Sequence, residues 1–168
     1  MILYGGFILN FTFDEYREII DLLHEHQYTI KKYSIEHFAG KEVILRHDID
    51  MSIDKALEFA YFEHSLGVQS TYFVLLTSPL YNVFRKENTA KLKEIFNLGH
   101  SIGLHFDETN YLLSNDEEIK RSILNEKSIL ENILSGINIK AVSMHMPSKR
   151  TLEANLYFDG KLINSYSN

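Results

Sequence analysis

The chain has 168 residues, enough for one domain with a buried core and short for two. Its 45% hydrophobic and 24% charged residues, with only two prolines, are those of a globular protein and exclude a disordered or collagen-like chain. A net charge of −6, with the basic residues scattered among 23 acidic ones, argues against a nucleic-acid partner. The absence of cysteine excludes a disulfide framework, a thiol nucleophile and a thiolate metal site.

The chain opens on the apolar run Met1-Ile2-Leu3-Tyr4-Gly5-Gly6-Phe7-Ile8-Leu9, which lacks the positive region and cleavage site of a signal peptide. The expected location on that ground is the cytoplasm, and no apolar run approaches the roughly 18 residues of a membrane span, which argues against an integral membrane protein. A helix is predicted over Asp14–His26, with Tyr16, Ile19, Ile20 and Leu23 on its apolar face, then a strand near Tyr28–Tyr33. Val43-Ile44-Leu45 reads as a buried strand ending in the polar cluster Arg46-His47-Asp48-Ile49-Asp50. Ser52 then caps a helix that stops at Gly67. Thr71–Leu76 is the next strand, Asn88 is expected to open a helix ending at Gly99, and Ser101–Phe106 is the third strand. Asn115 caps a long helix with an acidic first turn and the apolar face Ile119, Ile123, Leu130 and Leu134, and Lys140–His145 is the fourth strand. Strands alternating with helices predict an α/β domain with a parallel sheet. A complete eight-unit barrel takes about 250 residues, so a barrel here is expected to be partial, open and shortened at its C-terminus.

Ligands of such folds gather at the carboxyl ends of the strands, and the polar residues concentrate there. The first strand delivers His47, Asp48 and Asp50; the third His105, Asp107 and Glu108; the fourth His145. An extended backbone sends Asp48 and Asp50 to one side, and likewise His105 and Asp107, while His47 points the other way and is left out. Imidazole and carboxylate suit zinc, manganese, iron or cobalt, with zinc the first candidate, and three protein ligands leave a position open for water. The bland readings are an Asx-turn or helix cap for the acidic run and a hydrogen-bonded core residue for His105. His64 and His100 are expected to be helix-end cations, and His24, His26 and His37 solvated side chains. No dinucleotide-binding, P-loop or serine-hydrolase motif occurs, and the His47-Asp48 pair lacks the helical context of the HD phosphohydrolases.

The succession Leu45-Arg46-His47-Asp48-Ile49-Asp50, Thr71-Tyr72-Phe73, Leu98–Asp107 and Ser143–Ser148, with the helix opened by Phe11-Thr12-Phe13, resembles the polysaccharide deacetylase family, also called NodB-homology or carbohydrate esterase family four. Within it the chain is most similar to a branch that carries RHDxD. The resemblance runs through almost the whole chain and implies a single domain over residues 1–168, a distorted (β/α) barrel that hydrolyses N-acetyl groups from a saccharide with a divalent metal. It implies Asp48 as general base and Asp50 and His105 as metal ligands. The family's second metal histidine falls at Thr109, so a third ligand is expected from Asp107 or His145. The family's Arg-Pro motif, which orients the base, maps to His145-Met146-Pro147 without its arginine. Its later histidine acid has no counterpart after His145, so the domain is expected to be C-terminally shortened, with His145 donating the proton to the leaving amine. An abbreviated barrel would expose a sheet edge through which copies of the chain could pair. The rival expectations are a catalytically degenerate carbohydrate-binding or assembly module, and a metal hydrolase acting on another amide or ester.

Overall fold

The computed structural model describes residues 2–4, 7–9, 12–34 and 40–166, and for the first six of these only the backbone. A short hairpin, β1 (Ile2–Tyr4) antiparallel to β2 (Phe7–Leu9), precedes helix α1 (Phe13–Glu25). Thr12 opens α1 with a reciprocal capping box to Glu15. Strand β3 (Thr29–Lys31) lies parallel to β4 (Glu42–Ile44). From there the chain winds through β5 (Arg46–Ile49), α2 (Ile53–Ser65), β6 (Thr71–Leu75), α3 (Lys86–Asn97), β7 (Ser101–Phe106), α4 (Asp116–Ile133), β8 (Ala141–Met144), α5 (Lys149–Glu153) and β9 (Ile163–Asn164). Strands β5 to β9 form one parallel sheet in sequence order, the arrangement that consecutive crossover helices impose. This is the open α/β sheet expected from the alternation of elements. Its outer strands, β5 and β9, have no second strand partner among the described residues. No helix among them is long and apolar enough to cross a membrane.

Strand parity divides the sheet into two faces. Ile49, Tyr72, Val74, Ile102, Leu104, Phe106, Val142 and Met144 turn toward the helices. There they pack with Ile53 and Ala60 of α2, Leu92 and Ile95 of α3, and Ile119, Ile123 and Leu130 of α4 into one core. The residues of opposite parity, Arg46 and Asp48, Phe73, Gly103 and His105, and Ser143, occupy the other face. That face carries the chemistry. Gly103 pairs with Phe73, and a Cβ on Gly103 would lie 2.5 Å from two atoms of the Phe73 ring and 3.2 Å from the Ala141 carbonyl. Only glycine lets the fully buried Phe73 lie against β7. Gly103→Ala is expected to lower stability by about 1–3 kcal/mol, read as a lower denaturant midpoint at unchanged slope.

Several local expectations are corrected. The strand carrying the polar cluster is not Val43–Leu45: a break at Leu45 separates β4 from β5, and Arg46–Ile49 itself joins the large sheet. Helix α3 starts at Lys86 rather than Asn88, whose amide instead donates to the Asn82 carbonyl. His100 is not a helix-end cation. It is 1% exposed, donates from Nε2 to the Ala60 carbonyl and accepts from the Ser70 N–H, and burial pushes its pKa down. His64 does reach a helix end, donating from Nδ1 to the Leu98 carbonyl at 2.9 Å. His24 and His26 are exposed, and His37 lies outside the described residues.

Candidate metal centre

Asp48 and Asp50 leave β5 and its following turn on the same side, as strand parity requires. Behind the strand, His47 points the other way and docks on Glu63 of α2, Nε2 to Oε1 at 2.8 Å. Glu63 is fully buried and also accepts from the hydroxyls of Tyr16, Ser70 and Tyr72. Burial raises its pKa, but the His47, Ser70 and Tyr16 hydrogen bonds outweigh that and hold it at about 2, so the carboxylate is charged. An ionised hub with four partners fixes the back of β5, and with it the direction of the two aspartates in front. The turn beyond is held as well: Tyr81 donates to the Ile49 carbonyl at 2.5 Å and Ser78 to the Asp50 carbonyl at 3.0 Å.

His105 enters from β7 and His145 from the end of β8, where the His145 N–H continues the ladder to the Phe106 carbonyl. Asp50 Oδ1, His105 Nε2 and His145 Nδ1 form a triangle with sides of 3.2, 3.3 and 3.1 Å. Donors about 2.1 Å from a common ion stand about 3.0 Å apart at right angles and about 3.4 Å apart at the tetrahedral angle, so the triangle has the size of three ligands on one cation.

The protonation pattern agrees with that size. His105 Nδ1 faces the Ser143 carbonyl at 3.3 Å, and a carbonyl only accepts, so Nδ1 carries the proton and Nε2 turns its lone pair into the triangle. Burial pushes the His105 pKa down against the pull of Asp48 and Asp50, which favours the neutral ligand form. Asp50 Oδ1 is buried and accepts no hydrogen bond, although the side chain as a whole is half-exposed. A histidine–histidine hydrogen bond alone would leave this oxygen facing the Nε2 lone pair, whereas a cation satisfies all three donors. The residues fit a divalent metal.

Asp48 stands beside the triangle, its Oδ2 4.0 Å from His105 Nε2 and 2.7 Å from Arg46 Nη2. Asp107, expected to project with His105, is not brought into the group. Strand β7 ends at Phe106, and Asp107 caps a single 3-10 turn, Glu108–Asn110. Its Oδ1 accepts from the Thr109 N–H and hydroxyl at 2.9 and 2.7 Å, and its Oδ2 from the Asn110 amide at 2.8 Å. The Asx-turn weighed for the Asp48–Asp50 run is found here instead. Thr109, at the position of the family's second histidine, is spent on that same turn. His145, expected as a proton donor, has its Nδ1 among the three converging donors. Arg46 is the residue that sequence reasoning missed at this site. Its two-residue spacing from Asp48 on one strand was the available signal.

Neither a family sequence model nor any curated protein matches the chain. Solved structures do match its fold. IcaB from Ammonifex degensii aligns over 91% of this chain and 74% of its own at 16% identity, with a TM-score of 0.56. The Streptococcus pyogenes deacetylase PplD, in complex with acetate, aligns over 89% and 66% at 18% identity and 0.58. A mutant of BA3943, a CE4 family pseudoenzyme from Bacillus anthracis, with restored enzymatic activity, aligns over 80% and 47% at 17% identity and 0.57. The chain therefore spans between about half and three quarters of the length of these structures. Its fold is that of the CE4 polysaccharide deacetylases, as the motifs implied.

Proposed function

We propose that this chain is a metal-dependent hydrolase that removes N-acetyl groups from a saccharide, with Asp50, His105 and His145 as ligands to zinc or a similar divalent ion and Asp48 as base. The triangle of three ligand atoms beside an independently held carboxylate is the observation that carries the reading. The deacetylase fold supports the choice of amide, and a groove supports the choice of sugar. That groove, of about 900 Å³, begins at Met51, next to Asp50, and is lined by Leu80, Phe84, Arg85 and Asn88. Leu80 and Phe84 are exposed at 60% and 67%, apolar surface suited to the C–H face of a sugar ring, with amide and guanidinium groups beside it for its hydroxyls.

A divalent ion in the triangle supplies Lewis acidity, polarising the amide carbonyl and bringing the pKa of water toward neutrality. Asp48, outside the triangle and partly exposed, takes one proton from the attacking water as its oxygen bonds to the acetyl carbon. When the C–N bond breaks, the amine takes one proton, and the second proton of the water leaves with the acetic acid, which then ionises to acetate. Asp48 holds the proton to return. With Nδ1 committed to the ion, His145 keeps only the weakly acidic Nε2–H of a neutral imidazole, so in this reading one carboxylate serves both steps.

Isothermal titration of the apo-protein with zinc is expected to show one equivalent bound, and the zinc-loaded protein to release acetate from N-acetylated oligosaccharides, a reaction stopped by chelator. Failure to bind zinc, cobalt or manganese would sink the metal centre. Metal binding without acetate release would reject the deacetylase reading and leave another amide or ester as substrate. Glycan binding without metal would instead favour the degenerate module.

A further inference from the structure

We propose that Arg46 is the positioning residue for Asp48, replacing from within the same strand the arginine that the segment His145-Met146-Pro147 lacks. This inference rests on Asp48 being the base. Arg46 Nη2 donates to Asp48 Oδ2 at 2.7 Å, and the guanidinium that makes this bond is itself fixed on every side. Nη2 also donates to Ser143 Oγ at 2.6 Å on β8, and Nη1 donates to Ser165 Oγ at 3.1 Å just past β9. The guanidinium carbon sits 5.3 Å from the Phe73 ring centroid and 5.4 Å from that of Tyr166, so two aromatic rings flank the cation. Tyr33 packs edge-on against Phe73 at 5.7 Å. An exposed ion pair contributes little because both side chains wander. Here one partner is only 29% exposed and bound to three separate parts of the fold, so its fork sets where the carboxylate stands.

The same geometry keeps Asp48 out of the metal set. With Oδ2 committed to Arg46, Asp48 lies 4.0 Å from His105 Nε2, while Asp50 closes to 3.2 Å. Two carboxylates two residues apart thus have different neighbours, and the guanidinium is the difference. Glycine at position 103 contributes at one remove, because it lets Phe73 lie where it supports the cation.

The experiment compares wild type with Arg46→Met, which keeps the packing volume between the rings, and Arg46→Lys, which keeps the charge without the fork. Zinc affinity is measured by titration, kcat and KM by acetate release, and the Asp48 position by crystallography of the zinc-loaded variants. We expect Arg46→Met, which frees the Asp48 carboxylate toward the ion, to bind zinc at least as tightly as wild type does and to lose about 10²-fold in kcat with KM within about twofold, the scale of a misplaced base. Added guanidinium ion is expected to restore part of the rate, and Arg46→Lys to fall between the two. A kcat within about threefold of wild type would overturn the proposal, as would a loss of zinc affinity parallel to the loss of rate. If wild type itself releases no acetate, the deacetylase reading fails separately, and crystallography still decides the positioning role. An Asp48 carboxylate in its wild-type place without Arg46 overturns it, and a displaced one supports it. If Arg46→Met does not fold, Arg46→Lys carries both measurements.

Discussion

Replacing Asp48 by asparagine is expected to lower the rate of acetate release by about 10²–10⁴-fold while one zinc ion still binds per chain. The expectation rests on the division of labour at the strand end. Asparagine keeps the shape of the side chain and an oxygen that can accept from Arg46, so the strand, the guanidinium and the ligand triangle keep their places. Only the capacity to take a proton is lost. Asp50→Asn acts on the other half of the site, because it removes charge from a carboxylate oxygen that is buried without a hydrogen bond and faces both imidazoles. The two isosteric changes are therefore expected to separate: Asp48→Asn silences turnover with metal in place, and Asp50→Asn weakens metal binding itself. Zinc titration with kinetics on the same preparations checks this. An Asp48→Asn protein that turns over at the wild-type rate would remove Asp48 from the chemistry, whatever the metal does.

Much of this arrangement could be read from the sequence, for a physical reason. Parity along a strand is a local property, so the common direction of Asp48 and Asp50, and the opposite one of His47, follow from the extended backbone alone. The parallel order of β5 to β8 follows from the alternation of short apolar runs with amphipathic helices. Parity fails where the strand stops. Asp107 has the right spacing from His105, but whether Phe106 or Asp107 is the last extended residue depends on the turn formed by Thr109 and Asn110, whose side chains compete for that carboxylate. His145 shows the complementary case. Its sequence position marks a strand end, but its role depends on how closely β7 and β8 set two imidazoles, a long-range quantity that no local pattern contains. Arg46 was hidden for the same reason. Its spacing from Asp48 is local, while Ser143, Ser165 and Tyr166 reach it from 97 and more positions away. Strand β9, two residues long, has too few side chains for any periodicity to show.

His145→Ala tests the step where geometry and resemblance part. As a proton donor to the leaving amine, His145 could be removed without loss of metal affinity, and the cost would fall on kcat alone. As the third ligand, its loss leaves Asp50 and His105 to hold the ion, and zinc affinity is expected to fall by well over 10²-fold, since even outer-shell partners of metal ligands are worth about 10–100-fold. The 3.1 Å approach of its Nδ1 to His105 Nε2 favours the second outcome. Asp107→Ala provides the matching control. Its carboxylate caps the turn after β7 and touches none of the three ligand atoms. The variant is therefore expected to bind zinc as wild type does and to lose about 1 kcal/mol of stability, the usual cost of a lost cap. The opposite result, with zinc affinity lost in Asp107→Ala and kept in His145→Ala, would return the third coordination position to Asp107 and the proton to His145.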